Sequence, residues 1–334
     1  MERQRLDTPA RRGGGGQYFG PPRSVALFSS GCCLLDCCLG GGWVERIVNV
    51  VGDRSSGKTL LACEAAANYL RKYPKGKVWY REVEAAFDVD YITALGIPAG
   101  QFDMGRDLLT VEDVFEDLEK QIKKGRQGLY VIDSLDALSD RAEQKRDMDE
   151  GTYGAEKAKK LSQLFRRLVQ GLGKSKIMVM VISQVRDKIG VQFGERHTRA
   201  GGRALDFYAS QVVMLSQIKT LKRDVDGVTR PVGVLIRAKV KKNKVGLPFR
   251  EVDFPLLFGF GVEDVMAGAQ WLKDVGRLDD AELTPAQGKL LTSLRKVQGL
   301  GKADYDAYRK LVVSGVKKAW ADVEAKFAPG RLKY

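Results

Sequence analysis

The sequence predicts an α/β protein with a mostly parallel central sheet and a small helical domain at its C-terminal end. Short runs of Val, Ile and aromatic residues alternate with segments of helical periodicity up to about residue 265, which is typical of parallel strands joined by helices. Beyond residue 271 only helical periodicity remains. The 334 residues exceed one average domain of about 150. We therefore expect a flexible basic arm over residues 1–24, an α/β core over 25–270 and a helical domain over 271–334.

Six strands are predicted from their length and β-branched composition. They cover residues 45–51, 77–83, 129–133, 177–183, 212–216 and 234–240. Three helices are predicted between them, from Ala- and Leu-rich composition or from apolar residues at helical spacing. They cover residues 59–70, 111–124 and 155–172. In the C-terminal domain, Leu290, Leu294 and Leu311 belong to the pattern that predicts helices.

The charge balance is strongly basic. Lys and Arg number 56 against 42 Asp and Glu, a formal net charge of +14. This excess favours a polyanionic partner, with nucleic acid as the first candidate, although a solvated basic face would give the same count. The single histidine, His197, excludes His-rich metal sites and argues against a His-centred triad. No apolar run reaches the roughly 18 residues of a membrane span and the N-terminus lacks an apolar signal segment, so we expect a cytoplasmic protein without membrane contact.

Four of the five cysteines form a CC-x3-CC cluster, Cys32, Cys33, Cys37 and Cys38. Such a cluster could indicate a metal site. Adjacent cysteines on a helix point in different directions, however, and free cysteines pack as small buried apolar residues in a reducing compartment. We therefore favour buried thiols over metal ligands.

Residues 52–59 match the phosphate-binding pattern G-x4-G-K-[ST], between a predicted strand and a predicted helix. Glycines let the backbone N–H groups turn toward phosphate oxygens, and the amino end of the helix attracts the same anion. In this pattern Lys58 reaches the β- and γ-phosphates and Thr59 ligates Mg²⁺. A glycine-rich turn that binds nothing is the alternative. The predicted nucleotide-binding residues of this loop are Gly52, Asp53, Arg54, Ser55, Ser56, Gly57, Lys58 and Thr59.

Two further acidic positions fit a nucleotide triphosphatase. Asp133 ends the predicted strand 129–133, where a carboxylate can hold Mg²⁺ through water together with Thr59. Glu84 follows the strand 77–83, so it should lie at the same sheet edge and could activate water. Glu82 is the rival for that role.

These features together resemble the RecA family of ATP-dependent recombinases, over roughly residues 25–270. Residues 83–88 with Tyr91 resemble the acidic segment after that family's second strand. The resemblance implies that Glu84 activates water and that Asp88 and Tyr91 contact the adenine. The alternative is that Tyr91 packs in the hydrophobic core and does not contact a nucleotide.

Residues 183–194 and 201–210 are similar to the family's second DNA-binding loop and its flanks. The resemblance implies that Gln184 senses the γ-phosphate and transmits the state of the ATP to the loop. The residues implied to bind DNA are Arg186, Lys188, Ile189, Gly190, Val191, Phe193, Arg196, Arg199, Gly201, Gly202 and Arg203.

The chemistry of this loop fits that role. Residues 186–203 carry five Lys or Arg against Asp187 and Glu195, net +3, and their glycines let backbone N–H groups approach phosphates. Ile189 and Phe193 are apolar side chains suited to packing on bases. A mobile charged surface loop is the alternative.

Residues 239–244 resemble the family's lysine pair that reaches ATP bound to the neighbouring subunit. The resemblance implies that Lys242 and Lys244 complete the catalytic site of another copy, with ATP at the subunit interfaces of a helical filament. A basic edge strand is the alternative, because residues 219–250 hold ten Lys or Arg against two Asp. Residues 143–153 fall where the first DNA-binding loop would be, but they are acidic as well as basic.

The resemblance implies a recombinase that polymerises on single-stranded DNA with ATP and Mg²⁺, hydrolyses ATP in a DNA-stimulated manner and exchanges strands with a homologous duplex. Bacterial members begin with a longer arm and often end in an acidic tail. Here about 24 residues precede the core and the chain ends in RLKY. Within a family of bacterial and phage-encoded proteins, both departures favour a phage-encoded relative, and the shorter arm leaves the family's polymerisation contact open. A ring-forming helicase and a mediator ATPase without strand exchange are the alternatives.

Overall fold

The structure is a computed structural model. It describes residues 26–82, 99–105, 110–141, 154–187 and 202–330, together with residues 93, 96, 108, 197 and 198. The strands in these residues are β1 (Leu27–Phe28), β2 (Trp43–Val44), β3 (Ile47–Gly52), β4 (Lys77–Glu82), β5 (Phe102–Asp103), β6 (Gly128–Asp133), β7 (Ile177–Gln184), β8 (Arg186–Asp187), β9 (His197–Thr198), β10 (Gln211–Val225), β11 (Val228–Asn243), β12 (Glu251–Leu257) and β13 (Gly261–Val262). The helices are α1 (Cys33–Leu39), α2 (Lys58–Lys72), α3 (Val111–Lys123), α4 (Gly154–Leu172), α5 (Gly202–Tyr208), α6 (Asp264–Asp274), α7 (Pro285–Leu291), α8 (Leu294–Val297) and α9 (Lys302–Lys326).

Nine of these strands form one sheet, in the order β13-β12-β11-β10-β3-β7-β6-β4-β5. The strands from β10 to β5 in that order run parallel, whereas β10, β11, β12 and β13 pair antiparallel. All six predicted strands are present in this sheet. The predicted α/β fold, with a mostly parallel central sheet and C-terminal helices, is confirmed.

Helices cover both faces of the sheet, and each face has its own hydrophobic core. Because side chains alternate along a strand, β3 sends Val48 and Val50 into one core and Ile47 and Val51 into the other. The first core contains α1, α2 and the C-terminal helices, and the second contains α3, α4 and α5. A buried parallel sheet of this kind holds the carboxyl ends of its strands in fixed positions.

The cysteines pack in the first core as small apolar side chains. Cys32, Cys33, Cys38 and Cys63 are buried, Cys37 is half-buried, and all are free thiols. Burial raises the pKa of the Cys37 thiol to about 12. The described residues contain no group of three or more His, Cys, Asp or Glu that could hold a metal ion.

Strands β10 and β11 form a hairpin much longer than the predicted strands 212–216 and 234–240. Its turn contains Asp226 and Gly227 in the left-handed region, with φ of 54° and 78°, which suits a two-residue hairpin turn. The outer half of the hairpin is exposed and polar, so it lacks the alternating apolar pattern that identifies a strand. Over residues 233–239, β11 pairs with both β10 and β12, so this stretch is not an edge strand; Lys242 lies beyond it, where the register pairs β11 with β10.

The C-terminal helices are tied to the core through the buried carboxylate of Asp264. One oxygen accepts from the backbone N–H of Cys33 at 2.7 Å, and the other pairs with the guanidinium of Arg309 at 3.0 Å. These contacts join α1, α6 and α9. A Cβ at Gly268 would lie 2.4 Å from Val312 Cγ1, so α6 and α9 pack closely there. Within the described ranges, no helix is long and apolar enough to cross a membrane.

Candidate nucleotide-binding site

The turn between β3 and α2 contains the predicted phosphate-binding residues, and two of its glycines are required by geometry. Gly57 has a φ of 80°, and a Cβ there would lie 2.2 Å from Leu256 Cδ1. A Cβ at Gly52 would lie 2.5 Å from Ser56 Oγ. Ser55 also has a left-handed φ of 58°. The loop therefore curls tightly before α2 begins at Lys58.

Polar side chains of the loop converge on one backbone carbonyl. Lys58 is buried, and its Nζ donates to the carbonyl oxygen of Asp53 at 2.6 Å. Ser56 Oγ donates to the same oxygen at 2.8 Å. Asp53, Arg54 and Ser55 are exposed. The Lys58 ammonium is thus held over the loop, next to the amino end of α2, where a helix attracts anions.

Asp133 and Thr59, the two predicted magnesium ligands, lie in direct contact. Asp133 ends β6 and is buried. Its Oδ2 accepts a hydrogen bond from Thr59 Oγ1 at 2.8 Å. Carboxylate and hydroxyl oxygens are the donors that Mg²⁺ prefers, so this pair fits the ion.

Tyr80 on β4 is a third member of this contact, and sequence reasoning missed it. Its hydroxyl donates to Asp133 Oδ2 at 2.7 Å, and its side chain is fully buried. Burial, and then the nearby carboxylate of Asp133, raise the pKa of the Tyr80 phenol, so it remains a neutral donor. In sequence Tyr80 is only one aromatic in an apolar strand, and nothing there indicates a polar contact with β6.

The register of the sheet aligns the ends of the neighbouring strands. Gly52 pairs with Gln184, the last residue of β7, and Glu82 pairs with Asp133. The backbone N–H of Gln184 donates to Asp136 Oδ2 at 2.7 Å. The carboxyl edge of the sheet therefore brings together Gly52, Asp133, Gln184 and Glu82. Of the other predicted nucleotide contacts, Glu84, Asp88 and Tyr91 lie outside the described residues.

The predicted DNA-binding loop starts directly after Gln184. β8 pairs antiparallel with β9, so Arg186 lies opposite Thr198 at the base of the loop. Gly202 and Arg203 are the first two residues of α5, and only the backbone of these two residues is described. The remaining predicted contacts lie outside the described residues, and so do residues 143–153. They are Lys188, Ile189, Gly190, Val191, Phe193, Arg196, Arg199 and Gly201.

Lys242 and Lys244 lie toward the opposite edge of the sheet from the phosphate loop. Lys242 pairs with Val212, which pairs with Asn49, three residues before Gly52 on β3. At about 3.3 Å per residue this is roughly 10 Å along the strand, away from the loop. The structure therefore does not bring the lysine pair to the phosphate loop of its own chain.

Both lysines instead contact the carboxyl end of α5. Lys242 Nζ donates to the carbonyl oxygens of Asp206 and Phe207, the second at 2.9 Å. Lys244 Nζ donates to Phe207 at 3.3 Å. Burial, and then the charge of Lys244, lower the pKa of Lys242. Cations at the carboxyl end of a helix are favourable contacts, and α5 is the helix that follows the predicted DNA-binding loop.

Sequence reasoning also missed the turn between β12 and β13. Leu256 lies against Gly57 of the phosphate loop. Two residues later, Phe258 is 60% exposed, and Phe260 is 50% exposed. In the sequence, the apolar residues before the glycine-containing turn of residues 258–261 indicate the end of a strand. Only the fold shows at which edge of the sheet that strand ends. The turn therefore follows a residue that packs on the phosphate loop, and it presents two exposed aromatic side chains, of which Phe260 packs on Tyr305.

Comparison with known proteins agrees with this geometry. The family model of the RecA N-terminal domain matches residues 20–263. The chain is 37% identical over 249 residues to the protein RecA of Streptomyces avermitilis, covering 72% of this chain and 63% of that protein. For the protein RecA of Prochlorococcus marinus the identity is 37% over 242 residues, covering 72% and 64%. For that of Treponema denticola it is 39% over 241 residues, covering 72% and 56%.

The chain spans less than two thirds of the length of these curated relatives. The matched segment contains the phosphate loop, Asp133, Gln184 and the lysine pair. The family model covers well over half of the 334 residues. The chain therefore belongs to the RecA family.

Proposed function

We propose that this chain is a DNA-dependent ATPase that polymerises on single-stranded DNA and exchanges strands with a homologous duplex. The observation that carries this proposal is the continuity of β7. Gly52 pairs with Gln184, and the chain then passes directly into the loop of residues 186–203. A change at the phosphate site therefore has a short, rigid path to the predicted DNA contacts.

The chain's own residues supply the means to bind and orient ATP. Lys58 and the N–H groups at the start of α2 hold the phosphates, and the loop glycines let the backbone approach them. Thr59 and Asp133 would hold Mg²⁺, which would supply positive charge against the phosphate oxygens. Tyr80 fixes the Asp133 carboxylate through its hydrogen bond. Glu84 orients the attacking water and accepts its proton, while Asp88 and Tyr91 contact the base.

Lys242 and Lys244 act on the ATP of another copy. Their position away from the phosphate loop of their own chain supports this assignment. Within one chain they hold the carboxyl end of α5. If Lys242 and Lys244 bind the phosphates of a neighbour's ATP, they release the carboxyl end of α5. Assembly of the chains would then change how the predicted DNA-binding loop, which precedes α5, is held.

ATP hydrolysis with and without single-stranded DNA tests the proposal, with duplex DNA as a control at the same salt concentration. We expect strong stimulation by single strands. Turnover that is indifferent to DNA would overturn the coupling through β7. ATP-dependent filaments that fail to exchange strands would replace the recombinase with a mediator, and closed rings in negative stain would favour a helicase.

A matched pair of variants tests the general base. Glu84→Gln removes the charge and retains the shape, so ATP and DNA binding should persist while turnover stops. Glu82→Gln makes the same change two residues earlier, at the last residue of β4, and should retain turnover. The reverse result would assign the base to Glu82.

A further inference from the structure

Asp136, in the turn that follows β6, carries a buried carboxylate that no step of the proposed ATP chemistry uses. Its Oδ2 accepts a hydrogen bond from the backbone N–H of Gln184 at 2.7 Å. Asp136 lies three residues after Asp133, the predicted magnesium ligand that ends β6. Gln184 is the predicted γ-phosphate sensor and the last residue of β7. One side chain therefore links the end of the strand that carries Asp133 to the end of the strand that carries Gln184.

The hydrogen bond replaces a strand partner that β7 loses at this point. Past the end of β6, the turn supplies one further backbone bond, from the N–H of Leu135 to the carbonyl of Ile182 at 3.1 Å. Alternate residues of a strand face the same neighbouring strand, so the N–H of Gln184 also points to the β6 side. The side chain of Asp136 accepts it there in place of a backbone carbonyl.

The residues on both sides of Gln184 are bonded to β3. Ser183 is fully buried, and its Oγ donates to Asn49 Oδ1 at 3.0 Å. The backbone N–H of Val185 donates to the carbonyl of Gly52, in the phosphate loop, at 3.3 Å. Three consecutive residues are thus each bonded to an element that reaches the phosphate site. The chain enters the predicted DNA-binding loop immediately after them.

The turn that carries Asp136 is itself held in place. Leu135 and Leu138 are buried and pack in the second hydrophobic core. The backbone N–H of Ala137 donates to the carbonyl of Ser134 at 3.2 Å. A hydrogen bond to a charged group is about twice as strong as one between neutral groups. Because its base is anchored in the core, the carboxylate restrains the backbone at the end of β7.

We propose that Asp136 is a positioning residue that couples the ATP site to the predicted DNA-binding loop. This role rests on the proposed function and deepens it. By holding the backbone N–H of Gln184, Asp136 keeps that residue in register with Gly52 and gives the loop a fixed starting point. Without the carboxylate, ATP still binds and is hydrolysed, because Lys58 and Asp133 retain their own contacts. The loss falls on the transmission of DNA binding to turnover.

The test is the ratio of ATP turnover with single-stranded DNA to turnover without it. A smaller folded fraction lowers both rates equally and leaves this ratio unchanged. Substitutions between two coupled sites change their coupling by about 2- to 30-fold, and Asp136→Ala should lower the ratio by about 10-fold. The KM for ATP and the Mg²⁺ concentration for half-maximal turnover should stay at their parental values. Asp136→Asn retains an acceptor oxygen of the same reach and should restore most of the ratio.

Asp264→Ala is the matched control, because Asp264 Oδ1 also accepts a backbone N–H, that of Cys33, at 2.7 Å. This variant should lose stability and keep the parental ratio. If Asp136→Ala does not fold, Asp136→Ser takes its place. The serine hydroxyl ends one bond short of the carboxylate oxygens, so Asp136→Ser should lower the ratio as well.

A parental ratio in Asp136→Ala or Asp136→Ser would overturn the proposal. So would an equal fall of the ratio in Asp264→Ala, which would make it a general effect of losing a buried carboxylate. A raised Mg²⁺ requirement with a parental ratio would instead assign Asp136 to the support of Asp133. If single strands do not stimulate the parent, the proposed function fails together with this role. If they stimulate the parent and Asp136→Ala equally, only the positioning role fails.

Discussion

Replacing Tyr80 by Phe tests how Asp133 is positioned. The substitution removes the hydroxyl that donates to Asp133 Oδ2 at 2.7 Å and retains the buried ring. Thr59 still donates to the same oxygen. A hydrogen bond to a charged group contributes about 1.5–3 kcal/mol to stability, and the free energy of unfolding should fall by that amount.

The functional consequence of Tyr80→Phe should be larger than the loss of stability alone suggests. Loss of a hydrogen-bond partner behind a metal ligand typically lowers metal affinity by about 10–100-fold. We expect the Mg²⁺ concentration for half-maximal ATP turnover to rise by a factor of that order. At saturating Mg²⁺, turnover should recover most of the parental value, because Tyr80 does not contact the reacting atoms.

Tyr305→Phe is the matched control for Tyr80→Phe. The Tyr305 hydroxyl also donates to a buried carboxylate, that of Glu263, at 3.0 Å. Tyr305 lies on α9, where its hydroxyl bonds Glu263 and its ring packs on Phe260 rather than on a predicted magnesium ligand, so its loss should reduce stability but leave the Mg²⁺ dependence unchanged. A parental Mg²⁺ dependence in Tyr80→Phe, or an equal shift in both variants, would show that Tyr80 does not position Asp133.

Lys242→Ala alone should hydrolyse ATP slowly. Mixed with Lys58→Ala it should regain part of its turnover, because the first variant supplies an intact phosphate loop and the second an intact Lys242. Mixtures without any gain would mean that Lys242 acts within its own chain. Phe193→Ala should weaken single-stranded DNA binding by about 1–3 kcal/mol if the ring stacks on bases, as measured by fluorescence anisotropy. Burial raises the pKa of Glu263 from 4.5 to about 7. Between these two pH values the folded state keeps a proton on Glu263 that the unfolded state loses. The free energy of unfolding of the parent should therefore fall as pH rises from about 4.5 to about 7. Glu263→Gln should flatten that part of the curve in denaturation experiments, and an unchanged curve would mean that Glu263 does not titrate there.

The local pattern of the sequence was sufficient for much of the fold. The run of residues 45–51 predicted β3, observed as Ile47–Gly52, because a buried parallel strand needs a continuous β-branched segment. The helix of residues 111–124 was predicted from its periodicity and is observed as Val111–Lys123. The contact of Thr59 with Asp133 could also be anticipated. Thr59 follows the loop after β3 and Asp133 ends β6, and the carboxyl ends of parallel strands meet at one edge of the sheet.

Features that depend on contacts between distant segments could not be predicted. Nothing near Tyr80 in the sequence identifies Asp133 as its partner, 53 residues later. The contact of Leu256 with Gly57 depends on the antiparallel register of β11 and β12. The outer part of the β10–β11 hairpin is exposed on both faces, so its sequence lacks the alternation of apolar and polar residues by which a half-buried strand is recognised.

The polarity of the parallel strands has a consequence for assembly. One edge holds the phosphate loop, Asp133 and Gln184, whereas Lys242 and Lys244 lie toward the other. If the lysine pair is needed for turnover, one chain cannot complete its own site, because a rigid sheet separates the two groups. The site is then completed only where the carboxyl edge of one copy meets the lysine end of the next. Such a head-to-tail contact uses two different surfaces and repeats without closing unless the rotation forms a ring. Filament growth would then depend on nucleotide, since ATP would be the group that both surfaces contact.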